Sequence, residues 1–242
     1  MTDFVLKLLK TADENEATRN IIDTHQAEIL EKLAVSLVEE NSISNLTAVS
    51  DTDGIILKHF CDSASVVPFI KDGASVCDIG CGGGFPSLVI AVLRRDVSVL
   101  AVDSVKKKVD CVNRMAKNIG LANLTVASLR AEEMGRDPGY REKFDVVTAR
   151  AVGKLNLISE LCLPLVKVGG IFIAMKSLGA KEELEDAKNA IDILGGRVKE
   201  EISYSLTNGK EALSRTLIII EKIKSTDKKY PRNNSQISKK PL

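Results

Sequence analysis

The sequence predicts an α/β protein: a Rossmann-like, doubly wound sheet of seven strands, with a terminal antiparallel hairpin and an N-terminal helical extension. The first observation is a glycine-rich turn, residues 80–84, between two apolar runs. The second is an alternation of short β-branched runs with segments of helical period, over residues 75–194. The third is a final pair of strand-like segments with no helix between them. Such alternation favours parallel strands with helices on both faces.

Residues 1–70 are predicted to form an N-terminal helical cap. Apolar residues recur at helical spacing near the amino terminus and again over residues 22–37. His25 lies on the apolar stripe of the second segment, which predicts a packed core histidine. A third helical segment is expected over residues 55–70, after a polar linker.

Residues 71–223 are predicted to form the sheet domain. Strands are expected near 75–79, 98–102, 124–128, 144–149 and 170–176, and helices near 84–95, 105–119, 155–166 and 180–194. The last two strand-like segments are RVKEEISYSL and RTLIIIEKI, and the connection TNGKEALS is too short for a crossover helix. These two segments therefore predict an antiparallel hairpin at the sheet edge.

The composition is typical of a globular protein with an aliphatic core. Hydrophobic residues make up 44% of the 242 residues and charged residues 28%, while aromatic residues reach only 4%. The longest apolar run, Leu88 to Leu93, is far too short to span a bilayer. The opening segment MTDFVLKLLK lacks the long apolar centre of a secretory signal. We therefore expect a cytoplasmic protein.

The five cysteines are scattered and form no Cys-x-x-Cys pair. The two histidines lie apart in the sequence from Cys77 and Cys81. This pattern favours reduced, buried thiols over a zinc site, so no metal is expected.

The carboxyl-terminal segment, residues 224–242, has a linker-like composition. From Lys222 to Leu242 the chain carries seven basic residues and a single acid, Asp227. Such a segment is typical of a solvated, disordered tail, and equally of an arm that binds a polyanion such as RNA. We expect a basic flexible tail here.

The glycine turn follows the first predicted strand, where a doubly wound sheet binds its ligand. The observed pattern is Asp78 followed by Gly80, Gly82 and Gly84. A dinucleotide-binding Gly-x-Gly-x-x-Gly turn needs a third glycine where Phe85 stands, and a Walker turn needs a lysine, of which none is near. The spacing therefore disfavours both a dehydrogenase and a nucleoside triphosphatase.

Asp103 ends the second predicted strand, 23 residues after Gly80. A carboxylate at this place can accept hydrogen bonds from both hydroxyls of a ribose, which suits NAD and S-adenosyl-L-methionine alike. Residues 130–133, after the third strand, are placed to frame an adenine ring. Together with the glycine spacing and the terminal hairpin, Asp103 favours the class I methyltransferase fold with S-adenosyl-L-methionine as cofactor.

The chain also resembles the ribosomal RNA small subunit methyltransferase G family, which is also called glucose-inhibited division protein B. The resemblance is carried by ILKHFCDSAS, CDIGCGGGFPSL, VDSVKKKVDCV, LRAEE, VVTARAV, LPLVKVGGIFIAMK and KKYPR. It implies methyl transfer to N7 of a guanine in 16S rRNA, within the small ribosomal subunit or an assembly intermediate, with no membrane partner. Lys107-Lys108, Cys81 and Ser87 depart mildly from the pattern of the family.

The resemblance also implies roles for single residues. Gly80 and Phe85 would line the cofactor turn together with Gly82 and Asp103, which the spacing already indicates, while Ala131 and Glu132 would contact the adenosine. Arg150 would lie beside both cofactor and target. The positively charged catalytic positions would be Arg150, Lys176, Arg215, Lys107 and Arg130. Arg150 and Lys176 also follow the fourth and fifth predicted strands, so both should reach the ligand edge.

His59, Asp62 and Ser63 suggest a hydrolytic triad at first sight. Three residues within five positions rarely meet in triad geometry, so we expect a polar network that caps the cofactor pocket. Guanine N7 carries no proton, so the implied reaction needs orientation of the target and no general base. Two other classes stay open: a methyltransferase of a different substrate, and a non-catalytic ribosome assembly factor.

Overall fold

A mixed sheet of seven strands forms the centre of the computed structural model, which describes residues 1–242. The strands are β1 (Ser75–Ile79), β2 (Ser98–Asp103), β3 (Leu124–Ser128), β4 (Phe144–Arg150), β5 (Val166–Lys176), β6 (Gly196–Thr207) and β7 (Ala212–Lys222). Their order is β3-β2-β1-β4-β5-β7-β6. Strands β1 to β5 are parallel, and β7 runs antiparallel to both β5 and β6. The predicted fold class, with its terminal hairpin, is confirmed.

The amino-terminal region consists of helices. They are α1 (Asp3–Glu14), α2 (Thr24–Ser44), α3 (Thr52–Gly54), a π-helix (Ile55–Cys61) and α4 (Asp62–Ala64). The last three form one continuous helical segment. A π-helix of this length is uncommon, and such segments occur frequently at functional sites.

Helices also connect the strands of the sheet. They are α5 (Ser87–Leu93), α6 (Lys106–Asn118), α7 (Ala131–Met134), α8 (Leu155–Cys162) and α9 (Ala180–Ile193), with α10 (Asn234–Lys239) near the carboxyl terminus. Helix α5 begins three residues later than expected, because the glycine turn continues through Pro86. No helix combines the length and the apolar composition that crossing a bilayer requires.

Two hydrophobic clusters cover the two faces of the sheet. Adjacent strand residues such as Val146 and Val147 belong to different clusters, as the alternation of side chains along a strand requires. One cluster joins the sheet to α1, α2, α5 and α6. The other joins it to α8, α9 and the carboxyl-terminal segment. The amino-terminal helices thus share their core with the sheet.

His25 is exposed, so the expectation of a core histidine is wrong. Helix α2 buries the face that carries Ala27, Leu30 and Leu33, which is turned away from His25. The predicted stripe over residues 22–37 included His25, whereas the face that the helix buries runs through Ala27, Leu30, Leu33 and Leu37.

Residues 224–242 differ from the flexible tail that their composition suggests, because they pack against the second cluster. Ile237 is fully buried. The guanidinium of Arg232 lies 2.6 Å from the carboxylate of Glu160, which is itself fully buried. Arg141 donates hydrogen bonds to several backbone carbonyls of the segment. A buried carboxylate requires a partner, and Arg232 provides one from the far end of the chain.

Candidate functional site

A cavity of about 1010 Å³ opens at the carboxyl ends of the central strands. Its walls come from the glycine turn after β1, the end of β2, the start of α7, the end of β4 and the helical segment 52–64. Small-molecule sites commonly measure about 300–1,000 Å³, so this cavity lies at the upper end of that range.

The glycine turn presents bare backbone to the cavity. Gly80 has φ +70°, and a Cβ atom at this position would lie 2.7 Å from Cγ2 of Val152, so a side chain would be both strained and crowded. The N–H groups of Gly80 and Cys81 donate to the carbonyl of Val102 at 2.8 and 2.9 Å. These bonds fix the turn to β2 and leave its inner side open for a ligand.

Asp103 lines the cavity at the end of β2. Its Oδ2 accepts a hydrogen bond from the N–H of Gly82 at 3.0 Å, and its Oδ1 accepts from the N–H of Val105 at 2.9 Å. A carboxylate has about four lone-pair positions, so both oxygens retain capacity for a ligand hydroxyl. The carboxylate is thus held in a fixed orientation beside the turn.

Asp78 holds the glycine turn in place through buried hydrogen bonds. Its carboxylate is fully buried and accepts hydrogen bonds from the Thr148 hydroxyl at 3.0 Å and the Ser87 N–H at 3.2 Å. Burial raises the pKa of Asp78 to about 6. Asp78 does not line the cavity, so its role is to hold the turn in place.

The start of α7 forms the next part of the wall. Arg130, Ala131 and Glu132 all line the cavity. The guanidinium of Arg130 lies 3.8 Å from the Glu132 carboxylate, and more than half of the Arg130 side chain is exposed. Arg130 therefore presents its charge at the mouth of the cavity.

Two arginines meet one carboxylate on the opposite side of the cavity. Arg150, at the end of β4, donates from Nη1 to Asp62 Oδ2 at 3.0 Å and to the Lys58 carbonyl at 2.8 Å. Arg215, near the start of β7, donates from Nε to Asp62 Oδ1 at 3.0 Å. All three charged side chains line the cavity.

His59 belongs to the same network. Its Nε2 lies 3.0 Å from the Thr47 hydroxyl, and its Nδ1 lies 3.4 Å from Nη2 of Arg150. Burial, together with the charge of Arg150, lowers the pKa of His59 to about 3, so the ring is neutral. The Ser63 hydroxyl is buried with no hydrogen-bond partner, which excludes a Ser-His-Asp triad.

Two of the lysines named from the sequence have partners in the structure. Lys176 lines the cavity, but its ammonium is held by Glu183 at 2.6 Å and by the Gly153 carbonyl at 2.5 Å. Lys107 does not line the cavity: its ammonium lies 3.3 Å from the Ile43 carbonyl, on α2. The neighbouring Lys108 lines the cavity instead.

The structure therefore brings most of the predicted site residues together. The residues that line one cavity are Gly80, Gly82, Phe85, Asp103, Arg130, Ala131, Glu132, Arg150, Lys176 and Arg215. Lys108, Thr47 and Asn234 also line it and were missed. Lys108 adjoins a predicted position in the sequence, whereas no sequence pattern connects Asn234 with this site.

The chain is similar in sequence to proteins of one family. A family model described as rRNA small subunit methyltransferase G matches residues 26–213. A ribosomal RNA small subunit methyltransferase G of Lactobacillus delbrueckii subsp. bulgaricus is 45% identical over 212 residues, covering 85% of this chain and 87% of that protein. The protein of the same name from Bacillus cereus is 42% identical over 224 residues, covering 91% and 92%.

Solved structures with low sequence identity share the fold. An O-methyltransferase from Bacillus cereus, in complex with SAH, aligns with a TM-score of 0.55 at 17% identity, over 78% of this chain and 90% of that one. NSun6 from Pyrococcus horikoshii, with SFG, aligns with a TM-score of 0.54 at 13% identity, over 68% of this chain and 51% of that one.

Proposed function

The chain belongs to the rRNA small subunit methyltransferase G family, and on that premise we propose that it transfers a methyl group from S-adenosyl-L-methionine to N7 of a guanine in 16S rRNA. The observation that carries the proposal is a single cavity with two kinds of wall. One wall is the bare glycine turn beside Asp103, and the other carries Arg150 and Arg215. A cofactor with a ribose and a polyanionic target can meet between these walls.

The donor set fits an adenosyl cofactor. Gly80 and Gly82 would let the cofactor approach the backbone, and Asp103 would accept hydrogen bonds from its ribose hydroxyls. Ala131 and Glu132 would lie against the adenine. When bound, S-adenosyl-L-methionine supplies a methyl group on a good leaving group, and the cofactor product is S-adenosylhomocysteine.

The residues around the target then have an orienting task. Guanine N7 has an in-plane lone pair and no proton, so no side chain has to remove one. Arg150 and Arg215 are hydrogen-bond donors without acceptor capacity, which suits the O6 atom that adjoins N7 in guanine. Orientation of this kind can lower the barrier by about 7 kcal/mol.

Cationic side chains would hold the RNA backbone around the mouth of the cavity. Arg130, Lys107 and Lys108 lie on the cofactor side, while Lys176 fixes the loop at Gly153 through its hydrogen bond. The carboxyl-terminal segment, whose Asn234 lines the cavity, carries three further exposed lysines that would add to RNA binding: Lys228, Lys239 and Lys240. N7 lies in the deep major groove of A-form RNA, so the target base belongs to an open or remodelled loop.

The proposed partner is 16S rRNA within the small ribosomal subunit or an assembly intermediate, and the proposed location is the cytoplasm. Purified protein and methyl-labelled cofactor are incubated in four parallel reactions, with small subunits, naked 16S rRNA, ribosomal proteins or a metabolite extract as the substrate. Label in 16S rRNA is the expected result. Label confined to protein or metabolites would indicate a different substrate, and cofactor binding without turnover would indicate an assembly factor.

A further inference from the structure

The carboxylate of Asp62 holds two arginines that come from different strands. Arg150 ends β4 and Arg215 lies near the start of β7, and β5 runs between these strands. Asp62 belongs to neither strand, because it begins α4 directly after the π-helix. Its two oxygens are divided between the two arginines, with one hydrogen bond of 3.0 Å to each.

Arg215 depends on this carboxylate more than Arg150 does. Arg150 also donates to the Lys58 carbonyl, and it lies 5.6 Å from the centre of the Phe85 ring. Arg215 has one further hydrogen bond, to the carbonyl of its own neighbour Ser214. Asp62 is therefore the group that holds the Arg215 guanidinium at the cavity.

The position of Asp62 is itself fixed by packing and hydrogen bonding. Only 4% of Asp62 is exposed. Its backbone carbonyl accepts from the Ser65 hydroxyl at 2.7 Å, and that hydroxyl lies 2.8 Å from the Tyr204 hydroxyl on β6. A carboxylate so buried is stabilised by two full guanidinium charges, and it gives each of them a fixed direction.

We propose that Asp62 is a positioning residue for the methyl transfer, acting through Arg150 and Arg215 to orient the target purine; this inference rests on the proposed function. The paired donors select for O6 beside N7 and place the base against the cofactor site. Removal of Asp62 frees Arg215 from its carboxylate and leaves Arg150 with no charged partner, held by the Lys58 carbonyl and the rings of His59 and Phe85. The base then binds in a wider range of orientations, of which few allow reaction.

The test compares variants of the full chain on small subunits with saturating cofactor. In Asp62→Ala, kcat should fall about 100-fold, which is the effect expected for displacement of a bound group by about 1 Å. Asp62→Asn keeps the shape and one acceptor oxygen, so its loss should be smaller, at about tenfold. The dissociation constant of S-adenosylhomocysteine should stay within about threefold, because Asp62 contacts neither the glycine turn nor Asp103.

A double-variant cycle separates positioning from a general loss of structure. If Asp62 acts through Arg215, then Asp62→Ala combined with Arg215→Ala should be no slower than the worse single variant. Glu40→Gln is the matched control, because it breaks a bidentate pair with Arg114, at 2.6 and 2.7 Å, outside the cavity lining. This control should lose stability and keep its kcat.

The outcomes distinguish the two levels of the account. Wild-type protein that methylates no 16S rRNA overturns the proposed function and this inference together. Active wild-type protein whose Asp62→Asn and Asp62→Ala variants both keep kcat within about threefold overturns the inference alone. The inference is also overturned if the double variant loses kcat by the product of the two single losses. It is overturned as well if the dissociation constant of S-adenosylhomocysteine rises by as large a factor as kcat falls.

Discussion

The imidazole ring of His59 lies face to face on the phenyl ring of Phe85, with centroids 4.4 Å apart and planes 4° apart. Phe85 stands where a dinucleotide-binding turn has its third glycine. The residue that disfavours a dinucleotide turn therefore also supports the histidine that contacts Arg150. Burial and the neighbouring positive charge of Arg150 both favour the neutral ring.

Protonation of His59 should destabilise the fold in mild acid. The folded pKa of about 3 lies below the unfolded value of about 6.5, so the unfolded chain binds the extra proton between these values. The contribution of His59 to stability is present above pH 6.5 and is lost as the pH falls towards 3. The free energy of unfolding, measured with denaturant, should fall by about 2 kcal/mol more between pH 7 and pH 5 in wild type than in His59→Gln.

The exposed His25 provides a matched control for that experiment. His25→Gln removes a histidine that makes no contact with the cavity, so it should reproduce the wild-type pH profile. Parallel profiles for wild type and His59→Gln would show that the buried histidine is not the origin of the pH dependence.

Asp103 should determine cofactor affinity. Asp103→Asn keeps the shape of the side chain but loses the charge and one acceptor oxygen, and hydrogen bonds to charged groups contribute about 1.5–3 kcal/mol each. The dissociation constant of S-adenosylhomocysteine, measured by calorimetry, should rise between about tenfold and 100-fold. The control is Asp110→Asn, on the solvent side of α6, where the partner is Lys106. Equal affinities in the two variants would contradict the assignment.

The exposed lysines of the carboxyl-terminal segment should contribute to RNA affinity. Replacing Lys228, Lys239 and Lys240 together by alanine removes three charges without touching Arg232 or its buried partner. Binding of 16S rRNA should weaken, and the slope of log affinity against log salt should decrease by about 2. The kcat at saturating RNA should not change.

Three exposed lysines on the opposite face of the molecule serve as the control for this triple variant: Lys10, Lys32 and Lys117. They lie on helices of the first hydrophobic cluster, away from the carboxyl-terminal segment. Their replacement by alanine should affect RNA binding less. Equal effects in the two triple variants would show that the carboxyl-terminal segment has no special part in binding.

Arg232 should stabilise the whole fold. Arg232→Ala leaves the Glu160 carboxylate buried without its guanidinium partner, and such a loss costs about 3–5 kcal/mol. The solvent-accessible pair of Arg197 and Glu221 is the comparison, where Arg197→Ala should lower the free energy of unfolding much less, because water replaces the lost partner. Denaturant unfolding at neutral pH measures both values. Equal costs would contradict a structural role for the packed segment.

The strands and the glycine turn were predictable because their signals are local. A strand shows its period within a few residues. The carboxyl ends of parallel neighbouring strands must also lie at one edge of the sheet, and this rule correctly placed Gly80 beside Asp103. The choice between Lys107 and Lys108 was not predictable, because it depends on the rotation of α6 about its axis. The pairing of Glu160 with Arg232 was equally hidden, since 72 positions separate these residues.

The same contrast between local sequence signals and contacts of distant segments applies to the arginines of the site. Arg150 was assigned to the ligand edge from its place after a strand, and the structure puts it there. The connection of Arg150 and Arg215 through Asp62 required the three-dimensional path of the π-helical segment, for which the sequence has no periodic signal. Contacts between distant segments are therefore what the structure adds to the account of the site.

Mapping of N7-methylguanine in 16S rRNA tests the central claim most directly. Small subunits from cells that lack this protein are treated with wild type or with Arg150→Ala, the RNA is reduced and cleaved at the modified base, and the cleavage sites are mapped. Wild type should produce cleavage at one guanine in a loop, and Arg150→Ala should reduce it at least about 100-fold. RNA that wild type methylates but that is not cleaved at a guanine, or equal cleavage with both proteins, would contradict the proposed function.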